Sequence, residues 1–361
     1  MSSTYDDYGS RTDGLHAWFR HILPRLSAQH SIEAFEIKLI QGDASFRRYF
    51  RARAGTESFI LVDAPPQQED SRPFIQITRL YQGAGVRVPE IHEADMDQGY
   101  LCLSDFGDVL LWEKLNSAQQ RKSAIEDAGA LYQQAFEQLH KIQSIPVKGN
   151  LPDYSVQRLN DEMQLFSHWF CEKLLGLKLS LVSEKILSQC FASLRESALA
   201  QTQVSVHRDY HSRNLMLLAD GSLGVIDYQD AVIGPLSYDL VSLLKDCYIA
   251  WPREQVLSWA DIYFQQIKPE LAGELSASEF IRDFELMGVQ RHLKAIGIFA
   301  RLYLRDQKIN YLGDIPRTLA YLSELKGKYT QVDDFLHWLD DEVVQDIEDK
   351  ILAATARESS H

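Results

Sequence analysis

The sequence contains no uncharged apolar run that approaches the length of a membrane span, and its first residues, MSSTYDDYGSRTDG, lack the basic start and apolar stretch of a signal peptide. We therefore predict no membrane partner and expect the cytoplasm as the location. Basic residues are not in excess either, because 37 Lys and Arg stand against 51 Asp and Glu, a formal charge of -14. That balance argues against a nucleic-acid groove, which needs clustered positive charge.

Paired cysteines are also missing. The four cysteines, Cys102, Cys171, Cys190 and Cys247, are far apart and form no C-x-x-C pattern, so neither a zinc site nor a redox pair is predicted. Free buried thiols are the simpler interpretation. Nothing in the sequence indicates an obligate protein partner.

The first third of the chain has the pattern of a small sheet. An opening helix is predicted over 15–26, and the segments FEIKLI, FRRYFRAR and SFILVDA then predict three sequential antiparallel strands. A helix over 71–81 and two further strands over 85–95 and 99–106 follow. We therefore predict a helical extension over 1–30 and a nucleotide-binding lobe over 31–106.

The remainder, residues 107–361, is predicted as a larger and mostly helical lobe that holds the catalytic and acceptor-binding residues. Apolar residues recur there at helical spacing. Helices are predicted over 118–143, 159–175, 183–199, 238–248, 276–304 and 335–354. The predicted class is thus α+β, with a small antiparallel-sheet lobe followed by a helical one.

One constellation has the composition of a phosphotransfer site. Residues 207–214 read His-Arg-Asp-Tyr-His-Ser-Arg-Asn, an H-R-D-x-x-x-x-N pattern, and Ile-Asp-Tyr follows at 226–228. Phosphoryl transfer from ATP needs a carboxylate near the attacking hydroxyl and oxygen ligands for magnesium. Asp209 is therefore the predicted catalytic base, and Asn214 and Asp227 are the predicted metal ligands.

The segment between the two predicted ligands reads as a hairpin, because LMLL and LGVI flank Ala-Asp-Gly-Ser. If Leu218 pairs with Leu223, the register places Asn214 opposite Asp227. The alternative is that these are turn and cap residues of an unrelated hairpin. His207 is predicted to hydrogen-bond the loop backbone, and Asp239 either anchors that loop or is a charge at a helix N-terminus.

This motif set resembles that of the aminoglycoside phosphotransferase family, whose fold is similar to that of the protein kinases. The resemblance extends from about Phe35 to about Leu304. It implies that ATP and Mg²⁺ are the cofactors and that residues 103–106 form a hinge against adenine, with Asp105 and Phe106 near the nucleotide. Protein kinases are disfavoured, because only eleven residues separate Asp227 from Asp239 and no Ala-Pro-Glu element follows.

The usual phosphate-binding elements of such kinases are incomplete here. The loop Gly42-Asp43-Ala44-Ser45-Phe46 has one glycine, although Ser45, Phe46 and backbone N–H groups could still contact phosphate. Asp63 stands near the place of the usual lysine. Arg48 or Arg51 is the favoured replacement, and Lys38 or a degenerate nucleotide site are the alternatives. A nucleotide-binding pseudokinase is thus one competing function.

Within the family, two segments narrow the resemblance. Residues 42–51 with 62–66, and residues 290–294 with 297–302, are similar to those of bacterial kinases that phosphorylate N-acetylmuramate and N-acetylglucosamine at the anomeric hydroxyl during cell-wall recycling. The implied acceptor is a small amino sugar. An aminoglycoside or another small alcohol is the alternative acceptor on the same fold.

Acceptor recognition is expected from the helical lobe. Basic residues at 291, 294, 301 and 305 fall on one face of a predicted helix, and a solvated face is the alternative to an anion-binding one. Glu162 could bond sugar hydroxyls and Trp169 could stack on the ring or pack in the core. The candidate acceptor-binding residues are therefore Glu162, Trp169, Arg213, Arg291 and Lys294.

Overall fold

The computed structural model describes residues 3–26, 35–40, 46–121, 123–344 and 347, with side chains from residue 10 onward in the first range. The chain divides into two compact units, one comprising Met1–Val109 with Met216–Asp230 and the other Leu110–Leu215 with Ala231–His361. The predicted α+β class, with an antiparallel sheet in one unit and mostly helices in the other, is confirmed. The predicted boundaries after residues 30 and 106 stay predictions, and the compact units differ from them by grouping 216–230 with the N-terminal residues.

Among the elements of the described chain, strands occur in two stretches, within residues 36–104 and within residues 203–235, and helices make up most of the rest. In chain order they are α1 (Ser3–Leu26), β1 (Glu36–Ile40), β2 (Arg48–Ala54), β3 (Glu57–Asp63), α2 (Arg72–Gly83), β4 (Ile91–Asp95), β5 (Tyr100–Ser104), α3 (Leu111–Gln119), α4 (Ala124–Gln143), α5 (Val156–Leu165), α6 (Leu181–Ala200), β6 (Gln203–Val206), β7 (Leu215–Leu217), β8 (Leu223–Val225), β9 (Val232–Pro235), α7 (Tyr238–Leu244), α8 (Arg253–Ile267), α9 (Ala277–Asp306), α10 (Ile315–Ser323) and α11 (Thr330–Glu342). Phe166–Leu174 continues α5 as a π-helix, Lys268–Ala272 continues α8 in the same way, and Ile309–Asp314 is a 3₁₀ turn.

The first unit is built on a five-stranded antiparallel sheet in the order β1-β2-β3-β5-β4. Alternate residues of β2, Phe50, Ala52 and Ala54, are buried, as the two-residue period of a strand requires. Phe19 and its apolar neighbours on α1 pack against this face and form one core with it. The N-terminal helix is therefore an integral layer of this unit.

The second unit has α9 at its centre. This helix has a capping box at its start, where Ser276 accepts the N–H of Glu279 and the Glu279 carboxylate accepts the N–H of Ser276. The π-helical segment after α5, and α6, α10 and α11, contribute to one apolar core with it. Gly297 lets α9 approach the backbone closely, since a Cβ there would lie 2.6 Å from the carbonyl oxygen of Leu165.

Most predicted elements are confirmed, and the differences are shifted boundaries and elements that were not predicted. The predicted helix over 118–143 corresponds to α4, which begins six residues later, at Ala124. The predicted helix over 238–248 ends at Leu244, and that over 335–354 corresponds to α11, with most of its final third outside the described residues. Helices α3, α8 and α10 and strands β6 and β9 were not predicted.

The hairpin of β7 and β8 closes one residue earlier than predicted. The N–H of Leu218 donates to the carbonyl of Ser222, and the N–H of Gly221 donates to the carbonyl of Leu218. Gly221 has a φ of +81°, so the connection is a three-residue loop with a left-handed glycine. The predicted pairing of Leu218 with Leu223 is therefore wrong, and a position of Asn214 opposite Asp227 no longer follows from it.

Within the described part of the chain, no helix combines the length and apolar character that a membrane crossing requires.

Candidate active site

The loop between β6 and β7 is fixed by a buried carboxylate at its start. Oδ2 of Asp239 accepts the N–H of His207 at 2.7 Å, and Oδ1 accepts the N–H of Arg208 at 3.0 Å. Burial raises the pKa of Asp239 to about 7, although these two N–H donors act in the opposite direction. His207 in turn accepts the N–H of Asp209 on Nδ1 at 3.3 Å. These contacts define the backbone that presents Asp209.

A second buried carboxylate, Asp246, holds the same loop further along. Oδ2 of Asp246 accepts both the N–H and the hydroxyl of Ser212, and Oδ1 accepts the N–H of Tyr248 at 2.9 Å. Asp246 was not among the predicted site residues. Its only signal was an acidic residue next to the buried stretch that begins with Leu240, because no motif links positions 212 and 246.

Asp209 faces a cavity in the second unit. The cavity is lined by Asp209, His211, Cys247, Tyr248, Arg291, Lys294, Ala295, Ile298 and Phe299. Burial on its own would raise the pKa of Asp209, but the positive charges of Lys294, His211, Arg208 and Arg291 lower it to about 2. Asp209 is therefore a carboxylate, able to accept a proton, at any physiological pH.

A buried polar network of Tyr154, Glu162, Arg208, Tyr238 and Lys294 supports the loop. Arg208 has a φ of +77°, which few non-glycine residues adopt, and its guanidinium donates to Oε1 of Glu162. Nζ of Lys294 lies 3.4 Å from the same oxygen, and Tyr154 donates to Oε2. Lys294 also donates to the hydroxyl of Tyr238 at 3.0 Å. The ion pair with Glu162 thus helps to hold the strained backbone at Arg208.

This network determines where two predicted acceptor-binding residues lie. Glu162 is 8% exposed and has three charged or hydroxyl partners, so a contact with a sugar hydroxyl would have to replace one of them. Lys294 lines the cavity but has its charge balanced by Glu162. Sequence reasoning identified both residues without indicating that they pair.

The other three predicted acceptor-binding residues occupy different surroundings. The guanidinium of Arg213 lies over the ring of Tyr248, 3.6 Å from its centroid, and also near Trp112. Trp169 is half-buried on the π-helical segment and packs against the core of the second unit. Among the described residues that line the cavity beside Asp209, Arg291 is present and Arg213 and Trp169 are not.

The predicted metal ligands fall in different compact units, Asn214 in the second and Asp227 in the first. Nδ2 of Asn214 donates to the carbonyl of Asp209 at 3.0 Å, which leaves the oxygen as the metal-binding atom of that amide. Asp227 has a φ of +66°, and its Oδ1 accepts from Gln229 at 2.8 Å. Amide and carboxylate oxygens are ligands that suit Mg²⁺. No group of three His, Cys, Asp or Glu side chains forms a metal site elsewhere among the described residues.

In the first unit, Asp63 stands near the place of the usual lysine, and two arginines, here called the arginine clamp, bind its carboxylate. Asp63 is fully buried, and Oδ1 accepts Nε of Arg11 at 3.0 Å while Oδ2 accepts Nε of Arg48 at 3.0 Å. Arg48 also donates to Thr12 at 3.1 Å. The sequence analysis identified Arg48 but not Arg11, which lies 52 residues before Asp63 on α1. The alternative cation, Lys38, is exposed and pairs with Glu36 at 3.0 Å.

The other predicted nucleotide-binding residues gather at the end of β5. Nε of Arg51 lies 2.7 Å from Asp105, and its Nη1 lies 2.6 Å from Asp108. The ring of Phe106 packs on Gly224, where a Cβ would lie 2.6 Å from Cδ2. Arg51 therefore shapes the segment that the resemblance identifies as the hinge. In the loop before β2, Phe46 is 56% exposed and Ser45 lies outside the described residues.

Comparison with known proteins places this geometry in a family. Residues 36–278 match the model of the "Phosphotransferase enzyme family". A curated N-acetylmuramate/N-acetylglucosamine kinase from Pseudomonas putida is 40% identical over 305 residues, covering 84% of this chain and 87% of the relative. Both comparisons include residues 207–214.

Solved structures agree on the fold. Plasmodium vivax ethanolamine kinase matches with a TM-score of 0.58 and 12% identity, covering 84% of this chain and 86% of that one. The GDP complex of aminoglycoside 2'-phosphotransferase-IIIa matches with a TM-score of 0.53 and 18% identity, covering 85% and 97%. At such identities the likeness concerns the fold, which is kinase-like as predicted. This chain belongs to the phosphotransferase enzyme family.

Proposed function

We propose that this chain transfers the γ-phosphoryl group of ATP to the anomeric hydroxyl of N-acetylmuramate and N-acetylglucosamine, as part of peptidoglycan recycling in the cytoplasm. The observation that carries the proposal is the carboxylate of Asp209 in a cavity that Arg291 and Lys294 also line. A cavity with buried cations suits an acidic sugar better than a polycationic aminoglycoside. The name of the Pseudomonas putida relative supports the same acceptors.

Asp209 would act as the proton acceptor in this reaction. The acceptor oxygen forms a bond to the γ-phosphorus, the bond from that phosphorus to the leaving ADP oxygen breaks, and the hydroxyl proton passes to the Asp209 carboxylate. With a pKa of about 2, Asp209 is a weak base. A weak base is sufficient because an anomeric hydroxyl is more acidic than an ordinary alcohol and the transition state is loose.

Asn214 and Asp227 are the proposed magnesium ligands, on the strength of the sequence motif and of the oxygen atoms they offer. Magnesium bound there would neutralise charge on the ATP phosphates. The bond from Asn214 to the Asp209 carbonyl links that ligand to the catalytic loop. Asp227→Ala should therefore abolish magnesium-dependent turnover, and an unchanged magnesium titration would place the metal elsewhere.

The arginine clamp on Asp63 offers a replacement for the missing lysine. Two guanidinium groups on one carboxylate leave one net positive charge, which equals the charge that a phosphate-binding lysine would supply. We infer that Arg48, with Arg11 holding Asp63, provides this charge to the nucleotide.

A direct test supplies a panel of sugars and aminoglycosides with ATP and magnesium. Turnover of each acceptor is measured by the release of ADP. Phosphorus NMR of the product then identifies the acceptor atom, because a C1 phosphate couples to the anomeric proton. We expect both amino sugars to be phosphorylated at C1. Coupling to a C6 methylene pair, turnover of aminoglycosides alone, or nucleotide binding without any turnover would each contradict the proposal.

A further inference from the structure

Two cations of α9 line the cavity beside Asp209, and they differ in how their charge is balanced. Nζ of Lys294 lies 3.4 Å from Glu162 and donates to Tyr238 at 3.0 Å. The charge of Lys294 is therefore balanced by Glu162 within the protein. Arg291, one helical turn earlier on the same face, forms no ion pair with a carboxylate among the described residues.

The surroundings of Arg291 are unusual for a buried cation. Its side chain is 6% exposed, and Nη1 donates only to the thiol sulfur of Cys247 at 3.7 Å. Nε has no hydrogen-bond partner, and no carboxylate of the described residues forms an ion pair with this guanidinium. Sulfur is a weak acceptor, so the charge lacks the partner that a buried guanidinium normally requires.

Two other arginines of the second unit, the deeply buried Arg208 and the half-buried Arg253, are matched by acids. Arg208 pairs with Glu162, and Arg253 pairs with Glu285. Arg291 is therefore the one deeply buried arginine of the described second unit that has no ion pair with a carboxylate. The Asp209 and Asp246 carboxylates stabilise its charge from beyond ion-pair distance, which leaves its N–H donors for a ligand that enters the cavity.

We propose that Arg291 binds the carboxylate of an acidic acceptor sugar and thereby sets the preference for N-acetylmuramate over N-acetylglucosamine, an inference that rests on the proposed function. N-acetylmuramate bears a lactyl carboxylate that N-acetylglucosamine lacks. A guanidinium can bind a carboxylate through two parallel N–H bonds, which gives both strength and orientation. With the sugar carboxylate at Arg291, the hydroxyl to be phosphorylated would lie toward Asp209.

The test compares kcat/KM for three acceptors: N-acetylmuramate, its neutral carboxamide and N-acetylglucosamine. For Arg291→Gln, we expect the preference for the acid over the carboxamide to fall by about tenfold to a hundredfold, as for loss of one hydrogen-bonded charge pair. Arg291→Lys should retain part of that preference, because it keeps the charge without the paired geometry. Combining the Arg291→Gln change with the change of the sugar carboxylate to a carboxamide gives a double-mutant cycle. This cycle isolates the interaction free energy between the guanidinium and the carboxylate.

Arg301→Gln is the matched control. Arg301 lies on the same helix and its Nε also lacks a partner, but it is not among the residues that line the cavity. Its variant should leave the preference unchanged. Thermal unfolding of each variant reports whether it is folded.

Three outcomes separate the possibilities. A selective loss for the acid in the Arg291 variants supports the inference. An equal loss for all three acceptors, while the parent chain phosphorylates them, overturns the role of Arg291 and leaves the proposed function in place. A parent chain that phosphorylates neither amino sugar overturns the proposed function, and this inference with it.

Discussion

Asp239 and Arg208 are joined through the backbone, since Oδ1 of Asp239 accepts the N–H of Arg208 at 3.0 Å. Arg208 stands at a φ of +77° immediately before Asp209, the proposed catalytic base. A left-handed arginine persists only where its surroundings hold it. The buried carboxylate at the start of α7 is thus one of the groups that keep Asp209 in place.

Replacing this carboxylate with an amide should loosen the loop. In Asp239→Asn the side chain keeps one oxygen, so one of the two N–H groups of His207 and Arg208 loses its acceptor. We expect the free energy of unfolding to fall by about 1–3 kcal/mol and kcat to fall by about tenfold or more. Urea unfolding and steady-state kinetics measure the two effects. Asp306→Asn, on the exposed end of α9, is the control and should change neither; a fully active Asp239→Asn would remove the anchoring role.

Removing the proton acceptor should separate binding from chemistry. Asp209→Asn should still bind nucleotide but lose turnover by about a hundredfold or more. Near-native turnover would exclude Asp209 as the base. The lowered pKa also predicts a pH profile: Asp209 stays ionised down to about pH 2, so its protonation should cause no loss of activity between pH 5 and 8. The stability it contributes is present above the ordinary pKa of 3.8 and is lost only as the pH falls toward 2.

The proposed catalytic loop could be proposed from sequence because the chemistry assigned to it is local. Asp209, Asn214 and Asp227 lie within one short segment, and phosphoryl transfer restricts which residue types can stand there. The residues that support that loop could not be predicted from sequence. Asp246 accepts a hydrogen bond from Ser212 across 34 positions of the chain, and no motif links the two. Arg11 is a similar case, since an arginine on an amphipathic helix normally faces solvent.

The pairing of Lys294 with Glu162 shows a second limit. Helical spacing correctly placed Arg291 and Lys294 on one face of α9, but spacing within one helix says nothing about the acid that another helix presents. The start of α4 was misplaced for a related reason. The local pattern around residues 118–124 is compatible with a helix, and packing decides where it begins.

Adding one methyl group where two helices meet should move α9. In Gly297→Ala the new Cβ would lie 2.6 Å from the Leu165 carbonyl oxygen, and backbone cannot yield as a flexible side chain can. We expect a loss of about 1–3 kcal/mol in stability. A loss of kcat/KM should accompany it, because the same helix holds Arg291 and Lys294 at the cavity. Gly313→Ala, where no atom lies within 4 Å, is the control. Equal stability of the two variants would contradict the close approach.

A buried lysine should make stability depend on pH in the alkaline range. Lys245 is 1% exposed, its Nζ has no hydrogen-bond partner among the described residues and lies 4.0 Å from Glu285, and burial lowers its pKa from 10.5 to about 8. Between those two pH values the unfolded chain binds more protons than the folded one, so this group makes stability rise with pH. Lys245→Met should remove that contribution. The difference in urea midpoints between parent and variant should therefore shift in favour of the parent from pH 8 to 10.5, and a constant difference would contradict the assignment.

The packing of α1 has a practical consequence for anyone who shortens this protein. The matched family region starts at residue 36, which suggests a convenient place to begin an expression clone. Such a truncation would remove Leu15, Phe19, Ile22 and Leu23, all buried against the sheet, and would leave Asp63 with one arginine instead of two. Because the uncovered face includes Phe50, Phe59 and Leu61, the shortened chain should aggregate.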